Sequence, residues 1–298
     1  MSLRYVVLDF DGTCTQIELV HAGFLAGYLA ILEDASGCAR GALQPAWDAA
    51  VARVRAASPD AGWTLLGAPS TAPAAADPYI LASEASALLQ RDGAIRVVPP
   101  DAYARAYAVN PAPWRPELPE VLAGLIARGL RVGFISNSDR LTIETRLTDL
   151  LNADRALRRQ IVVHGHAAKF TLRELPVGAT GPGAAHRVRF EALDGSVRAA
   201  GTVRPIYLRR GAYFDALCGL WRDLGAPDYA IAQTLVCGDI WELDLAMPRA
   251  LGAHVHLIRR APPFDTYPYE LAQLPPGDTS GDLHGLLDHV DRLRGAAR

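Results

Sequence analysis

The chain has 298 residues, a formal net charge of −2, and 50% hydrophobic against 21% charged residues. That length sits at the edge of what one apolar core holds, so one large or two modest domains are expected. The near-neutral charge gives no electrostatic basis for binding nucleic acid or an anionic membrane surface, and no run of about 18 apolar residues exists to span a bilayer.

The apolar run over 5–8 reads as a buried strand and ends in Asp9-Phe10-Asp11-Gly12-Thr13. Period-2 geometry sends Asp9 and Asp11 the same way, and Gly12 lets the chain turn sharply. Such a pair suits a metal site, an acid/base pair or a nucleophile. Residues 17–32 and 42–57 carry apolar positions at helical spacing, and 79–90 reads as a further helix beyond a loop over 67–78. The Pro-rich segment 110–119 marks a boundary. From there strands and helices alternate: helix 116–128, strand 131–135 followed by Ser136-Asn137, helix 141–151, strand 161–163, helix 213–224, strand 234–237 followed by Gly238-Asp239, helix 243–251 and strand 254–258. This order predicts an α/β fold with a doubly wound parallel sheet. Residues 186–208 alternate around Asp194-Gly195 and predict a β-hairpin inserted over about 178–208, with Gly178, Gly181 and Gly183 as a lead-in.

Cys14, Cys38, Cys218 and Cys237 are scattered, which supports neither a disulfide framework nor a zinc site and fits a reducing compartment. The first residues run directly into a strand, so no secretion signal is expected and the cytoplasm is the expected location. His164 with His166, and His254 with His256, share strand faces without a third ligand. Trp47, Trp63, Tyr103, Tyr107 and Trp114 are expected mainly as core, with one or two lining a pocket.

Three strand ends thus carry Asp9/Asp11, Ser136/Asn137, and Asp239 with Asp244. In this order they resemble the haloacid dehalogenase (HAD) superfamily over residues 1–14 and about 116–260. The resemblance implies a Rossmann-like core, residues 1–14 and 116–298, with a helical cap over 15–115. It implies a Mg²⁺-dependent phosphohydrolase acting on a small phosphorylated metabolite. Asp9 would be the nucleophile, forming an aspartyl-phosphate, and Asp11 the general acid/base. Asp9, Asp239, Asp244 and the Asp11 backbone carbonyl would hold the ion, with Glu242 read instead as a solvated helix residue. Gly12, Thr13, Ser136 and Asn137 would bind the phosphate.

The family also places a Lys or Arg near the nucleophile. Lys169 follows the third strand, while Arg209 and Arg210 precede the helix near Tyr213, and both placements stay open. A phosphotransferase or mutase of the same fold and a non-catalytic scaffold are the alternatives, and the hairpin covers the site mouth or forms a homodimer contact.

Overall fold

The computed structural model describes residues 2–64, 72–172, 184–226 and 230–295. Strand β1 (Tyr5–Leu8) is followed by four helices, α1 (His21–Ser36), α2 (Gln44–Ala57), α3 (Pro78–Arg91) and α4 (Ala102–Val109). The chain then returns through α5 (Leu118–Ala127) to β2 (Arg131–Ile135), α6 (Arg140–Leu150), α7 (Arg155–Arg158) and β3 (Ile161–His164). Next come α8 (Ala184–Glu191), β4 (Ser196–Val197), β5 (Ile206–Tyr207), α9 (Gly211–Asp223) and β6 (Thr234–Gly238). Helix α10 (Ala246–Ala250), β7 (His254–Ile258), α11 (Pro268–Leu271), β8 (Thr279–Ser280) and α12 (His284–Gly295) complete the order.

Six strands form one parallel sheet in the order β3-β2-β1-β6-β7-β8. The chain moves outward from β1 in one direction and then in the other, so β1 lies at the switch point, where a parallel sheet opens a crevice at its C-terminal end. Alternation along β1 explains why both faces are covered. Tyr5 and Val7 pack with Leu217 and Leu220 of α9, while Val6 and Leu8 pack with Leu122 of α5, Leu147 of α6 and Leu286 of α12. A parallel strand buried on both faces needs a continuous apolar run, which is what 5–8 supplies.

Helices α1 to α4 have an apolar core of their own, built on residues that include Phe24, Tyr28, Leu32, Trp47, Ala82 and Leu89. Asp77 starts α3 by accepting from Ile80 N at 2.6 Å, with Pro78 in the first turn. The chain leaves and re-enters the sheet region side by side, through a bridge between Thr15 and Trp114.

Two expectations are corrected. Part of the predicted hairpin is helical: α8 takes Ala184–Glu191, because Val188 is exposed and Phe190 buried, as on a helix touching the core with one face. Among the described residues the antiparallel strand pair is β4 with β5, and Asp194-Gly195 precedes β4 instead of turning between strands. Gly178, Gly181 and Gly183 lie outside the described residues, as does the 67–71 part of the predicted loop over 67–78. The helix expected over 243–251 begins instead as a π turn at Trp241–Leu245 and becomes α-helical only over Ala246–Ala250. There Asp244 Oδ2 accepts from Ile240 N at 3.1 Å, turning the carboxylate back toward the strand end. No described helix is long and apolar enough to cross a membrane.

Candidate active site

The C-terminal ends of β1, β2 and β6 deliver Asp9, Ser136 and Asp239. Asp9 N donates to Cys237 O at 2.9 Å, so the β1–β6 ladder continues one residue beyond the strand and fixes the first acid beside the last. The turn that follows is tight. Gly12 has φ +81°, a region that L side chains rarely enter, and a Cβ there would stand 2.4 Å from Asp239 Oδ2. Arg115 holds the turn from below, donating from Nε to Thr13 O at 2.9 Å and from Nη2 to Gly12 O at 3.1 Å.

Asp9, Asp239 and Asp244 are all buried, with one carboxylate oxygen of each lying within 4.8 Å of the others. Between them lies Lys169, the chain's single lysine. Its Nζ donates to Asp9 Oδ1 at 2.6 Å and to Asp244 Oδ1 at 2.9 Å. Thr13 Oγ1 donates to Asp9 Oδ2 at 3.1 Å and lies 3.3 Å from Asp239 Oδ1. Asp239 Oδ2 is buried with no hydrogen-bond partner.

One ammonium therefore faces three carboxylates. Burial pushes the Asp9 carboxyl up to about 7, aided by the charge of Asp244 and opposed by Lys169. Burial and Asp244 push Asp239 well above the usual carboxylate range. Burial works against the Lys169 ammonium, but the charges of Asp244 and Asp9 outweigh it and keep that group protonated. Uncompensated buried charge and an orphaned carboxylate oxygen fit a small divalent cation with oxygen ligands.

Asp11 lies outside this cluster and is held separately. Its Oδ1 accepts from the Tyr107 hydroxyl at 3.0 Å, and its Oδ2 from the Ser138 hydroxyl. Burial raises its carboxyl, while the bonds from Ser138 and Tyr107 and the charge of Arg146 pull it back. Arg146 stacks on Phe10 and Trp114, with its guanidinium carbon 5.1 and 4.9 Å from the two ring centres.

The other expected residues take definite places. Ser136 is buried, and its Oγ accepts from Ser138 N at 3.1 Å. Asn137 Oδ1 accepts from Lys169 N at 2.7 Å, so this side chain positions the lysine. The two basic candidates are separated. Lys169 reaches Asp9, whereas Arg210 is fully buried on the carbonyls of Leu243, at 2.8 Å, and Tyr207, at 3.1 Å. Arg209 binds the carbonyls of Leu193 and Glu191. Glu242 is not solvated: it is fully buried, paired with Arg204 and bonded by the Tyr269 hydroxyl at 2.6 Å.

The histidine pairs do not converge on a metal among the described residues. His164 binds Asp223, His166 binds Asp139, and His256 binds His289 and Ser280. Cys14 is buried and its thiol is pushed far up by burial, which makes it inert.

Residues that sequence reasoning missed frame the site. Ser138 was within reach of it, two residues beyond Ser136. The Arg115 clamp follows from the pairing of two distant chain segments. Arg260, bound to Glu270 and to Asp239 O, braces the end of β6.

No family model matches the chain, and no curated protein does. Solved structures do. YfnB of Bacillus subtilis, described as a HAD-hydrolase and bound there to magnesium, superposes with a TM-score of 0.54 at 12% identity, over 98% of this chain and 100% of that one. A predicted phosphoglycolate phosphatase from Haemophilus somnus 129pt gives 0.51 at 14% identity, over 97% and 98%. The chain has the HAD-hydrolase fold: a Rossmann-like parallel sheet with its acids gathered at the switch point.

Proposed function

We propose that the chain is a HAD-superfamily hydrolase, specifically a Mg²⁺-dependent phosphohydrolase of small phosphate monoesters. One observation carries this reading. Asp9 shares a buried cluster with Asp239, Asp244 and Lys169, while the second acid of the same turn, Asp11, stands apart on two hydroxyls. Two carboxylates in different environments can take different roles. The magnesium bound to YfnB and the fold shared with it support the same reading.

Asp9, Asp239 and Asp244 would hold the ion, together with the Asp11 backbone carbonyl by resemblance to the family. When bound, Mg²⁺ offsets the repulsion between the incoming phosphate and these carboxylates. An Asp9 oxygen attacks phosphorus, forming the carboxylate–phosphorus bond as the bond to the alcohol oxygen breaks. Asp11 gives its proton to that leaving oxygen. It then takes a proton from the water that attacks the aspartyl-phosphate, returning Asp9 as a carboxylate and releasing phosphate. Lys169 stabilises the negative charge shared by Asp9 and the phosphoryl group. Ser136 and the backbone N–H groups at the start of α6 accommodate the phosphate oxygens. The helical segment 15–115 serves as the cap, and Tyr107 joins it to Asp11. A dehalogenase has no leaving oxygen to protonate, so Asp11 favours the phosphate ester.

The test is hydrolysis of p-nitrophenyl phosphate by the purified protein. Activity is expected with Mg²⁺, none with EDTA, and none from Asp9→Asn. Full activity from Asp9→Asn would overturn the mechanism.

A further inference from the structure

The helical segment meets Asp11 with an aromatic surface. Helix α3 supplies Tyr79 and its capping residue Asp77, and α4 supplies Tyr103 and Tyr107. The three tyrosine rings form a triangle, with centroids 5.8 Å apart for Tyr79–Tyr103, 5.6 Å for Tyr79–Tyr107 and 5.7 Å for Tyr103–Tyr107. Phe24 backs the triangle, 4.8 Å from Tyr79. The triangle faces Asp11, which Tyr107 touches directly.

The hydroxyl of Tyr79 is the informative atom. Tyr79 is only 9% exposed, and its hydroxyl has no hydrogen-bond partner. The charged group acting on it most strongly is Asp11, with Asp77 also in range. A buried hydroxyl left unpaired beside the acid that would protonate a leaving group can bond a polar atom of that leaving group.

Most described cations of the helical segment are engaged elsewhere, Arg55 for one lying over Phe264 and donating to Pro263 O. Arg40, Arg53, Arg91 and Arg105 are in ion pairs with neighbouring acids on the exposed side, and Arg115 is bound under the Gly12 turn. The positive groups that act on Asp11 and Asp77 lie outside the helical segment. Lys169 is on Asp9 and Asp244, Arg260 is on Glu270, and Arg146 stacks on Phe10 and Trp114 and donates from Nη2 to Ala112 O, its Nη1 being buried without a partner. Three phenols and the Asp77 carboxylate are thus the polar groups that the helical segment itself brings to this side of Asp11. Aromatic faces and a carboxylate attract an ammonium group and repel a second anion.

We propose that this roof selects phosphate esters of amino alcohols and rejects those whose alcohol carries a carboxylate. The proposal rests on the phosphohydrolase reading and adds the substrate class. Tyr79 and Asp77 receive the N–H groups of the ammonium, while Tyr107 keeps Asp11 aligned with the ester oxygen.

The experiment compares three two-carbon esters that differ only in their far end: phosphoethanolamine, the monophosphate of ethylene glycol, and phosphoglycolate. p-Nitrophenyl phosphate serves as the reference. The expected order of kcat/KM is amine, then alcohol, then carboxylate, with at least about tenfold between the ends. Asp77→Asn and Tyr79→Phe are each expected to narrow the amine-to-alcohol ratio to about threefold or less. That ratio is insensitive to a uniform loss of active enzyme. If p-nitrophenyl phosphate is cleaved and phosphoglycolate matches or exceeds phosphoethanolamine, the roof proposal fails while the hydrolase reading stands. An amine preference unchanged in both variants overturns it equally. If none of the four esters is cleaved, the hydrolase reading falls and the substrate class with it.

Discussion

The hydroxyl of Tyr107 donates to Asp11 Oδ1 across 3.0 Å, though 96 residues separate the two in the chain. Helix α4 thereby touches the one carboxylate of the turn that lies outside the acid cluster. Because this bond favours the ionised carboxylate, it lowers the Asp11 pKa against the pull of burial.

Removing that donor with Tyr107→Phe raises the Asp11 pKa. A general acid must be protonated in the free enzyme, so kcat/KM falls as pH rises through that value. The alkaline limb of the profile is expected to move upward by about one unit, the size of one hydrogen bond to a charged group. A pH–rate profile of the variant checks the shift, and an unmoved limb would remove Asp11 from the acid role.

Lys169 and Arg210 are both buried cations, and the structure gives them opposite predictions. Lys169→Met leaves Asp9 and Asp244 facing each other without an ammonium. Activity should fall by roughly 10²–10³-fold, and stability at pH 8 by about 3–5 kcal/mol, with part of the stability returning near pH 5 as Asp9 protonates. Arg210→Met removes the donor to the carbonyls of Leu243 and Tyr207. It should lower the melting temperature without changing the Mg²⁺ midpoint. Thermal melts with a Mg²⁺ titration distinguish the two.

Binding of Mg²⁺ should release protons. Asp9 is pushed up to about 7 and Asp239 well above the carboxylate range, so the ion-free site carries protons that a cation must displace. Affinity is expected to rise from pH 6 to pH 8. Calorimetry in buffers of different ionisation enthalpy measures the released protons directly. Asp239→Asn should abolish the high-affinity event.

Asp77 gives a stability prediction with a fixed sign. Burial, with the charge of Asp11, raises its carboxyl from 3.8 to about 7. For an acid raised on folding, the folded state binds more protons than the unfolded one between those values. The stabilisation is full below about pH 4 and is lost as pH rises through 7. Asp77→Asn keeps a capping oxygen for Ile80 N and removes this loss. Its melting temperature should match the parent near pH 4 and exceed it by at least about 3 °C at pH 8. Equal differences at both pH values would contradict the sign.

What the sequence made legible was local. Asp9, Asp11 and Gly12 follow a buried strand, and period-2 geometry with a glycine turn fixes their direction without tertiary information. Asp239 followed for the same reason. Lys169 could not be separated from Arg209 and Arg210, because its reach depends on Asn137 binding its backbone from another strand end. Glu242 looked like a surface residue because its segment was expected as a regular helix, and the π turn buries it against Arg204. The His186–Phe190 alternation suits strand and helix equally over five residues, and packing of Phe190 decided it. Asp77, Tyr79 and Tyr107 reach Asp11 only through the packing of α3 and α4, which no local pattern encodes.

The central claim is that Asp9 accepts the phosphoryl group beside an ion shared with Asp239. A crystal structure of the protein soaked with Mg²⁺ and fluoroberyllate tests it most directly. The expected result is beryllium bonded to a carboxylate oxygen of Asp9, Mg²⁺ coordinated by Asp9 and Asp239, and Lys169 against the fluorides. Fluoroberyllate on another residue, or Mg²⁺ held away from Asp239, would contradict it.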